Sequence, residues 1–167
     1  MTTWEAITTA VGLALSGERA TGRRDLLSCW AASTEQDHAQ RCVLAHYLAD
    51  LEPLLDDEVR WDEWALTAYA HVGDGDLAAI GIPSARGMAP SLHLNLGDVY
   101  LRQGRVDDAA AQLESGLAAA DALGEDGYGA LVRRGLAGLS DRVEQAVVAA
   151  NGASSNLTGP PGRGVTS

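Results

Sequence analysis

The stretch Ser91–Asp121, SLHLNLGDVYLRQGRVDDAAAQLESGLAAAD, constrains this chain more than any other. Leu92, Leu96, Val99 and Tyr100 recur at helical spacing and give one apolar face. Pro90 stands where a first helical turn tolerates proline. Gly104 can supply the positive φ that ends this helix, and Asp107 is placed to cap the next. In that second helix Ala109, Leu113, Gly116, Leu117 and Ala120 make another face, small residues alternating with large. Gly97 lies mid-helix, where it costs about 1 kcal/mol against alanine. The expected reason for such a glycine is the close approach of a neighbouring helix. One helical pair of this kind cannot bury its own face, so the rest of the chain must supply more.

The order N-L-G-D-V-Y, then Q-G-R, then D-D-A, then G-L resembles a tetratricopeptide repeat (TPR), a helix-turn-helix unit of about 34 residues. The residues that carry the resemblance are Asn95, Leu96, Gly97, Tyr100, Gly104, Asp107, Ala109, Leu113 and Leu117. His93 stands where the family prefers tryptophan. About three such units are needed for stability. The resemblance therefore implies an all-α fold, a TPR-like right-handed superhelix of antiparallel helical hairpins closed by a C-terminal capping helix.

The remaining sequence supplies candidates for the other units. Residues 4 to 17 read as a helix on Ile7, Ala10, Val11, Ala14 and Leu15, broken by Gly17. Residues 20 to 32 read as the next. Matching Gly17 to Gly104 sets Ala10 at Gly97, Leu13 at Tyr100, Gly22 at Ala109, Leu26 at Leu113 and Trp30 at Leu117, so small residues meet small and large meet large. Residues 35 to 51 and 55 to 72 make a second degenerate pair, with Pro53 in its turn.

The spacing then breaks: Ala10 to Ala45 is 35 residues, Ala45 to Gly97 is 52, and the excess lies in residues 73 to 89. A loop this long inside a compact domain is uncommon. It reads either as an insertion with a short helical turn at Asp76–Ile80 or as a lid. A seventh helix is expected from about Tyr128 to Ala149, buried through Leu131, Val132, Leu136, Leu139, Val143 and Val147, with Gly135 and Gly138 marking tight packing. Residues 1–150 thus form one TPR-like helical domain. Residues 151–167 hold too few apolar side chains to fold and read as a disordered tail, with a glycosylation-like Asn156-Leu157-Thr158.

Composition narrows the function classes. The net charge of −11 argues against nucleic acid, which needs a basic stripe. No apolar run approaches the roughly 18–20 residues of a membrane span. The N-terminus lacks the basic start of a signal peptide, and two cysteines do not make a disulfide framework. A cytoplasmic location is expected. The absence of lysine, with all 12 basic residues arginine, and the abundance of Ala, Gly and Leu suggest a high-GC, bacterial genome.

The resemblance implies a concave groove, lined by the first helix of each pair, that binds extended peptides or protein segments. Trp4, Ile7 and Val11 would line it in the first pair, Cys42, His46 and Ala49 in the second, and Leu94, Asp98 and Leu101 in the third. The basic clamp by which some family members grip a carboxyl terminus has no counterpart in the clear repeat, which lacks lysine.

Two polar patterns stand out from the residues themselves. His38, Cys42, His46 and Asp50 recur every four residues on one helix, a zinc-like ligand set. His38 to Asp50 spans about 18 Å at ~1.5 Å per residue, so all four cannot share one ion. Cys42 with His46 is a weak metal pair, a nucleophile–base pair or core packing; no second half-site appears, and no metal or cofactor is assigned. His93 is an extra candidate. The other pattern is acidic, from Asp50 and Glu52 through Asp56, Asp57, Glu58, Asp62 and Glu63, either a solvated face or a field that steers a basic partner. Trp61 and Trp64 within it are not on one helical face, so one is expected at the surface as a partner hot spot.

The reading that results is a cytosolic protein–protein interaction module, a scaffold or adaptor, with a protein or peptide partner of basic character and neither nucleic acid nor membrane. The alternative is a small-molecule- or metal-binding protein or enzyme that uses a Cys42/His46 site beneath the 73–89 loop. Self-association into a homo-oligomer through the end helices is the third option.

Overall fold

A computed structural model of the chain describes residues 2–156. These residues are all-α, with α1 (Trp4–Leu15), α2 (Arg19–Ala32), α3 (His38–Ala49), α4 (Leu55–Tyr69), α5 (Ala89–Arg102), α6 (Val106–Ala118) and α7 (Gly127–Asn156). Helix α1 packs on α2, α3 on α4 and α5 on α6, each pair joined by a short turn. Helix α3 also rests on both α1 and α2, α4 joins α5, and α7 rests on both α5 and α6.

Local chemistry fixes the helix ends. Thr3 Oγ1 accepts the Ala6 N–H at 3.2 Å and so caps α1. Gly17 and Gly104 take φ of +102° and +78°, a region open to glycine without strain. Past each glycine the chain bonds back in the same way. Glu18 N–H donates to Leu13 C=O at 3.0 Å, and Arg105 N–H to Tyr100 C=O at 2.9 Å. Leu13 and Tyr100 are the residues that matching the two glycines brings together, so the first and third turns share one geometry. Pro90 occupies the first turn of α5, as its missing N–H requires. Asp107 does not cap α6. Val106 is already helical and Arg105 holds the cap position without a side-chain bond, leaving Asp107 and Asp108 to face the positive helix end.

Two clusters of buried side chains hold the helices. The first is built on Ile7, Leu26, Leu44, Leu48 and Ala65 from α1–α4. The second runs from Val59 of α4 through Leu96, Val99 and Leu113 to Leu136 and Leu139 of α7. Each fully buried leucine contributes roughly 1.5–3 kcal/mol relative to leaving it in water. Leu66 packs against both clusters and links them.

The long 73–89 segment belongs to the first cluster. Leu77 is wholly buried, and Ala85 and Met88 nearly so. Ser84 Oγ donates to Asp74 Oδ1 at 2.5 Å, and Ala85 N–H donates to Asp74 C=O at 2.8 Å, which ties the segment across its own base. Single 3-10 turns form at Ala78–Ile80 and Ala85–Gly87. The segment is a rooted strap, not a free loop.

Helix α7 departs from expectation in three ways. Its buried stripe is Val132, Leu136, Leu139 and Val143, one narrow seam at helical spacing. Leu131, turned about 100° away from that seam, is 60% exposed, and Val147 lies past the last buried position. Gly135 does pack tightly, whereas Gly138 faces open space. The helix also continues to Asn156, so residues 151–156 of the expected tail are helical. The remainder of that segment lies outside the described residues. Among the described residues no helix is long and apolar enough to cross a membrane.

Candidate functional site: a cleft beneath the strap

A cleft of about 380 Å³ opens between α1, α3 and the strap. Ile7, Thr8 and Val11 of α1 form one wall, and Val43, His46 and Tyr47 of α3 form the other. Ile80, Gly81 and Ile82 of the strap overlie them, and Met88 and Ser91 close the end at α5. Asp126 and Tyr128, at the start of α7, complete the rim. Gly81 has φ of +83°, and Ile82 N–H donates back to Leu77 C=O at 3.2 Å. That tight turn roots Leu77 in the core while it presents Ile80 and Ile82 to the cleft. The chain contains three isoleucines, Ile7, Ile80 and Ile82, and all of them line this one cleft.

Its polar groups are few and held in place. Tyr128 Oη donates to Ser91 Oγ at 2.8 Å, and Ser91 Oγ donates to Met88 C=O at 2.9 Å, a chain that joins α7 to the end of the strap. Asp126 Oδ1 accepts the Gly129 N–H at 2.9 Å at the α7 N-terminus. Half-buried His46 stands 3.4 Å from Asn95, Nδ1 to Nδ2. Burial lowers the His46 pKa to about 4, so the ring is neutral near pH 7. An Asn95 amide that donates to Nδ1 selects the neutral tautomer with its proton on Nε2.

Of the residues expected along a groove, the structure brings Ile7, Val11 and His46 together here. Cys42 and Ala49 point into the core and are at most 1% exposed. Trp4 packs against the first cluster. In the third pair α7 covers two of the three residues expected to line a groove. Leu94 lies so close to Gly135 that a Cβ there would sit 2.5 Å from Leu94 Cδ2. Asp98 pairs with Arg102 at 2.8 Å and with Arg142 of α7 at 2.6 Å, and Leu101 packs on the second cluster.

The histidine–cysteine stripe disperses. His38 stacks on His71 with ring centroids 4.7 Å apart, Cys42 is buried, His46 enters the cleft, and the Asp50 carbonyl accepts from Arg19 at 2.7 Å. Among the described residues no three His, Cys, Asp or Glu side chains converge on a metal position. Burial pushes the Cys42 thiol up to about 12, the opposite of an activated nucleophile. His93 faces Gln112 of α6 at 2.8 Å, away from the strap.

The acidic patch is largely satisfied from within. Glu52 pairs with Arg23 at 2.9 Å and accepts the Trp61 indole N–H at 3.1 Å. Glu58 pairs with Arg102, Asp57 with Arg60, and Glu63 accepts the Tyr100 hydroxyl at 2.7 Å. Trp61 is half-buried, and Trp64, 47% exposed, stacks on Trp30 with centroids 5.5 Å apart.

Asp62 is the residue that sequence reasoning missed. It is 2% exposed, and neither carboxyl oxygen has a hydrogen-bond partner. Burial, then the nearby Asp50 and Glu58, raise its pKa to about 8. A signal was available, because Asp62 falls at helical spacing between Val59 and Leu66 on the apolar face of α4.

No protein-family model matches this chain, no curated protein matches it in sequence, and no solved structure matches its fold.

Proposed function

We propose that this chain is a TPR-like interaction module, a cytosolic scaffold or adaptor, that takes a short segment of a protein or peptide partner in the cleft between α1, α3 and the strap. The observation that carries this reading is the cleft itself: about 380 Å³, walled by apolar side chains, with a few oriented polar groups at its rim. Support for the repeat-like reading comes from the shared turn geometry at Gly17 and Gly104 and from the packing order. Helix α7 rests on the α5–α6 pair as α3 rests on the α1–α2 pair. A side chain entering the cleft would displace water from Val11, Ile80 and Ile82, above the buried Ile7, while main-chain groups of the segment would meet Tyr47 and His46. The stack of paired helices serves to hold the two walls at a fixed separation, so little ordering is required on binding.

The test is selection of heptapeptides from a random displayed library, followed by isoleucine δ1-methyl NMR of the protein with each enriched peptide. Binding in the cleft shifts all three isoleucine signals, and Val11→Asp, which charges the half-buried wall, abolishes it. Peptides that still bind a folded Val11→Asp protein, or that leave the isoleucine signals unmoved, would sink the reading.

A further inference from the structure

The cleft has a sign. No arginine lines it, and Asp126 is the one formally charged side chain on its rim. The Asp126 carboxylate keeps Oδ2 free after Oδ1 accepts from Gly129, and no arginine pairs with it among the described residues. Three arginines of α5 and α7 are committed elsewhere. Arg133 donates to the carbonyls of Leu123 and Gly124 at 2.9 Å each, Arg102 is held by Glu58 and Asp98, and Arg142 is held by Asp98. Arg86 of the strap lies on the Tyr69 and Asp74 side and does not reach the cleft wall. Burial, then Tyr128 and the negative charge of Asp50, raise the Tyr47 pKa. The whole chain carries −11.

We infer that the cleft selects a peptide segment that pairs a branched aliphatic side chain with an adjacent arginine or lysine, the apolar group seating between Val11, Val43 and Ile82 and the cation meeting Asp126 at the rim. This rests on the cleft being the binding site, and it adds the chemistry of the occupant. An acidic segment of the same apolar content is excluded twice. Its carboxylate finds no cation in the lining, and it approaches a negative surface. A neutral segment loses only the rim contact.

The probes are three capped tetrapeptides, acetyl-Arg-Leu-Leu-Arg-amide, acetyl-Gln-Leu-Leu-Gln-amide and acetyl-Glu-Leu-Leu-Glu-amide, titrated to about 10 mM against protein labelled at the isoleucine δ1-methyls, in low and in 0.5 M salt. The expected result is that the arginine peptide shifts Ile7, Ile80 and Ile82 together and binds about three- to tenfold more tightly than the glutamine peptide, with the glutamate peptide weakest. Asp126→Asn keeps the oxygen that caps α7 and should remove most of that preference while the glutamine peptide binds as before. Salt narrows the arginine advantage without erasing it, because the seated leucine is insensitive to screening. Equal binding of all three peptides with the isoleucines shifted overturns the charge selection and leaves the cleft standing. Arginine binding that leaves the isoleucines unmoved, or that survives Asp126→Asn unchanged, overturns it in favour of diffuse attraction to the acidic surface. No shift with any of the peptides overturns both this inference and the cleft reading on which it depends.

Discussion

Gly97 of α5 lies directly against Leu139 of α7: a Cβ at position 97 would sit 2.8 Å from Leu139 Cδ2 and 3.3 Å from Gln112 Cβ of α6. Three helices meet there only because the side chain is a hydrogen atom. Gly97→Ala gains helix propensity of about 1 kcal/mol, but it must push a fully buried leucine out of place, at about 1–3 kcal/mol. The expected outcome is a net loss of stability in denaturant melts. Gly138→Ala is the control. That helical glycine has no atom within 4 Å of its Cβ position, so the same change should stabilise by up to about 1 kcal/mol. Equal effects at the two positions would contradict the packing described.

Asp62 makes stability depend on pH. Its pKa is near 3.8 when the chain is unfolded and about 8 when folded, so between those values the folded state binds the extra proton. The contribution of the protonated carboxyl is fully present below pH 3.8 and is lost as pH rises through 8. Its folded neighbours are Asp50 and Glu58, which favour the proton, and Arg102, which opposes it. Asp62→Asn removes the titration. The variant should gain on the wild type steadily from pH 5 to about pH 8 and level off above it, by an amount on the order of a few kcal/mol. A wild-type-minus-variant difference that stays flat over that range would show that Asp62 ionises freely.

His46 works in the other direction. Burial depresses its pKa to about 4 from 6.5, so its contribution is present above pH 6.5 and is lost as pH falls through 4. The ring carbon and nitrogen resonances should report a neutral imidazole down to pH 5. Protonation near pH 6.5 would place His46 in open solvent.

The two thiols should differ in reactivity. Cys42 is wholly buried with its thiol pushed to about 12, and Cys29 is only partly covered. Iodoacetamide should modify Cys29 in the native protein and reach Cys42 only on unfolding. Prompt labelling of both would place Cys42 outside the core.

The strap should be part of the cooperative fold. Leu77→Ala removes a fully buried side chain and is expected to cost about 2–5 kcal/mol. Hydrogen exchange at residues 77–82 should then accelerate together with that of α1 and α3. Faster exchange in the strap alone would make it a flap on an independent core.

Much of the fold was legible because it is written in two local codes. Leucines and alanines at helical spacing gave the seven helices, and Gly17 and Gly104 gave two of the turns, since a positive φ leaves few choices of residue. Partners were harder to read. Gly135 and Gly138 look alike in sequence, three residues apart, yet only the first faces Leu94; which face of α7 meets α5 depends on the whole stack. The cleft was legible in its walls, at Ile7, Val11 and His46, because those follow from the face of each helix. For its roof, residues 73–89 were an expected lid over His46 in the alternative reading, but that Ile80 and Ile82 face the cleft was not legible, because they reach it through the root at Leu77. Asp62 hid among seven acidic residues whose composition resembles a solvated surface, and its position on the apolar stripe was the cue that separated it from the rest.

The four tryptophans are distributed as unevenly as the isoleucines. Trp4, Trp30 and Trp61 pack against the first cluster and Trp64 stacks on Trp30, while the second cluster contains none. Tryptophan emission, excited beyond the tyrosine band, therefore watches α1–α4 and is blind to α5–α7, whereas far-ultraviolet ellipticity counts every helix. Comparing the two melting curves on the unmodified protein tells whether Leu66, shared by both clusters, is enough to make the halves unfold as one.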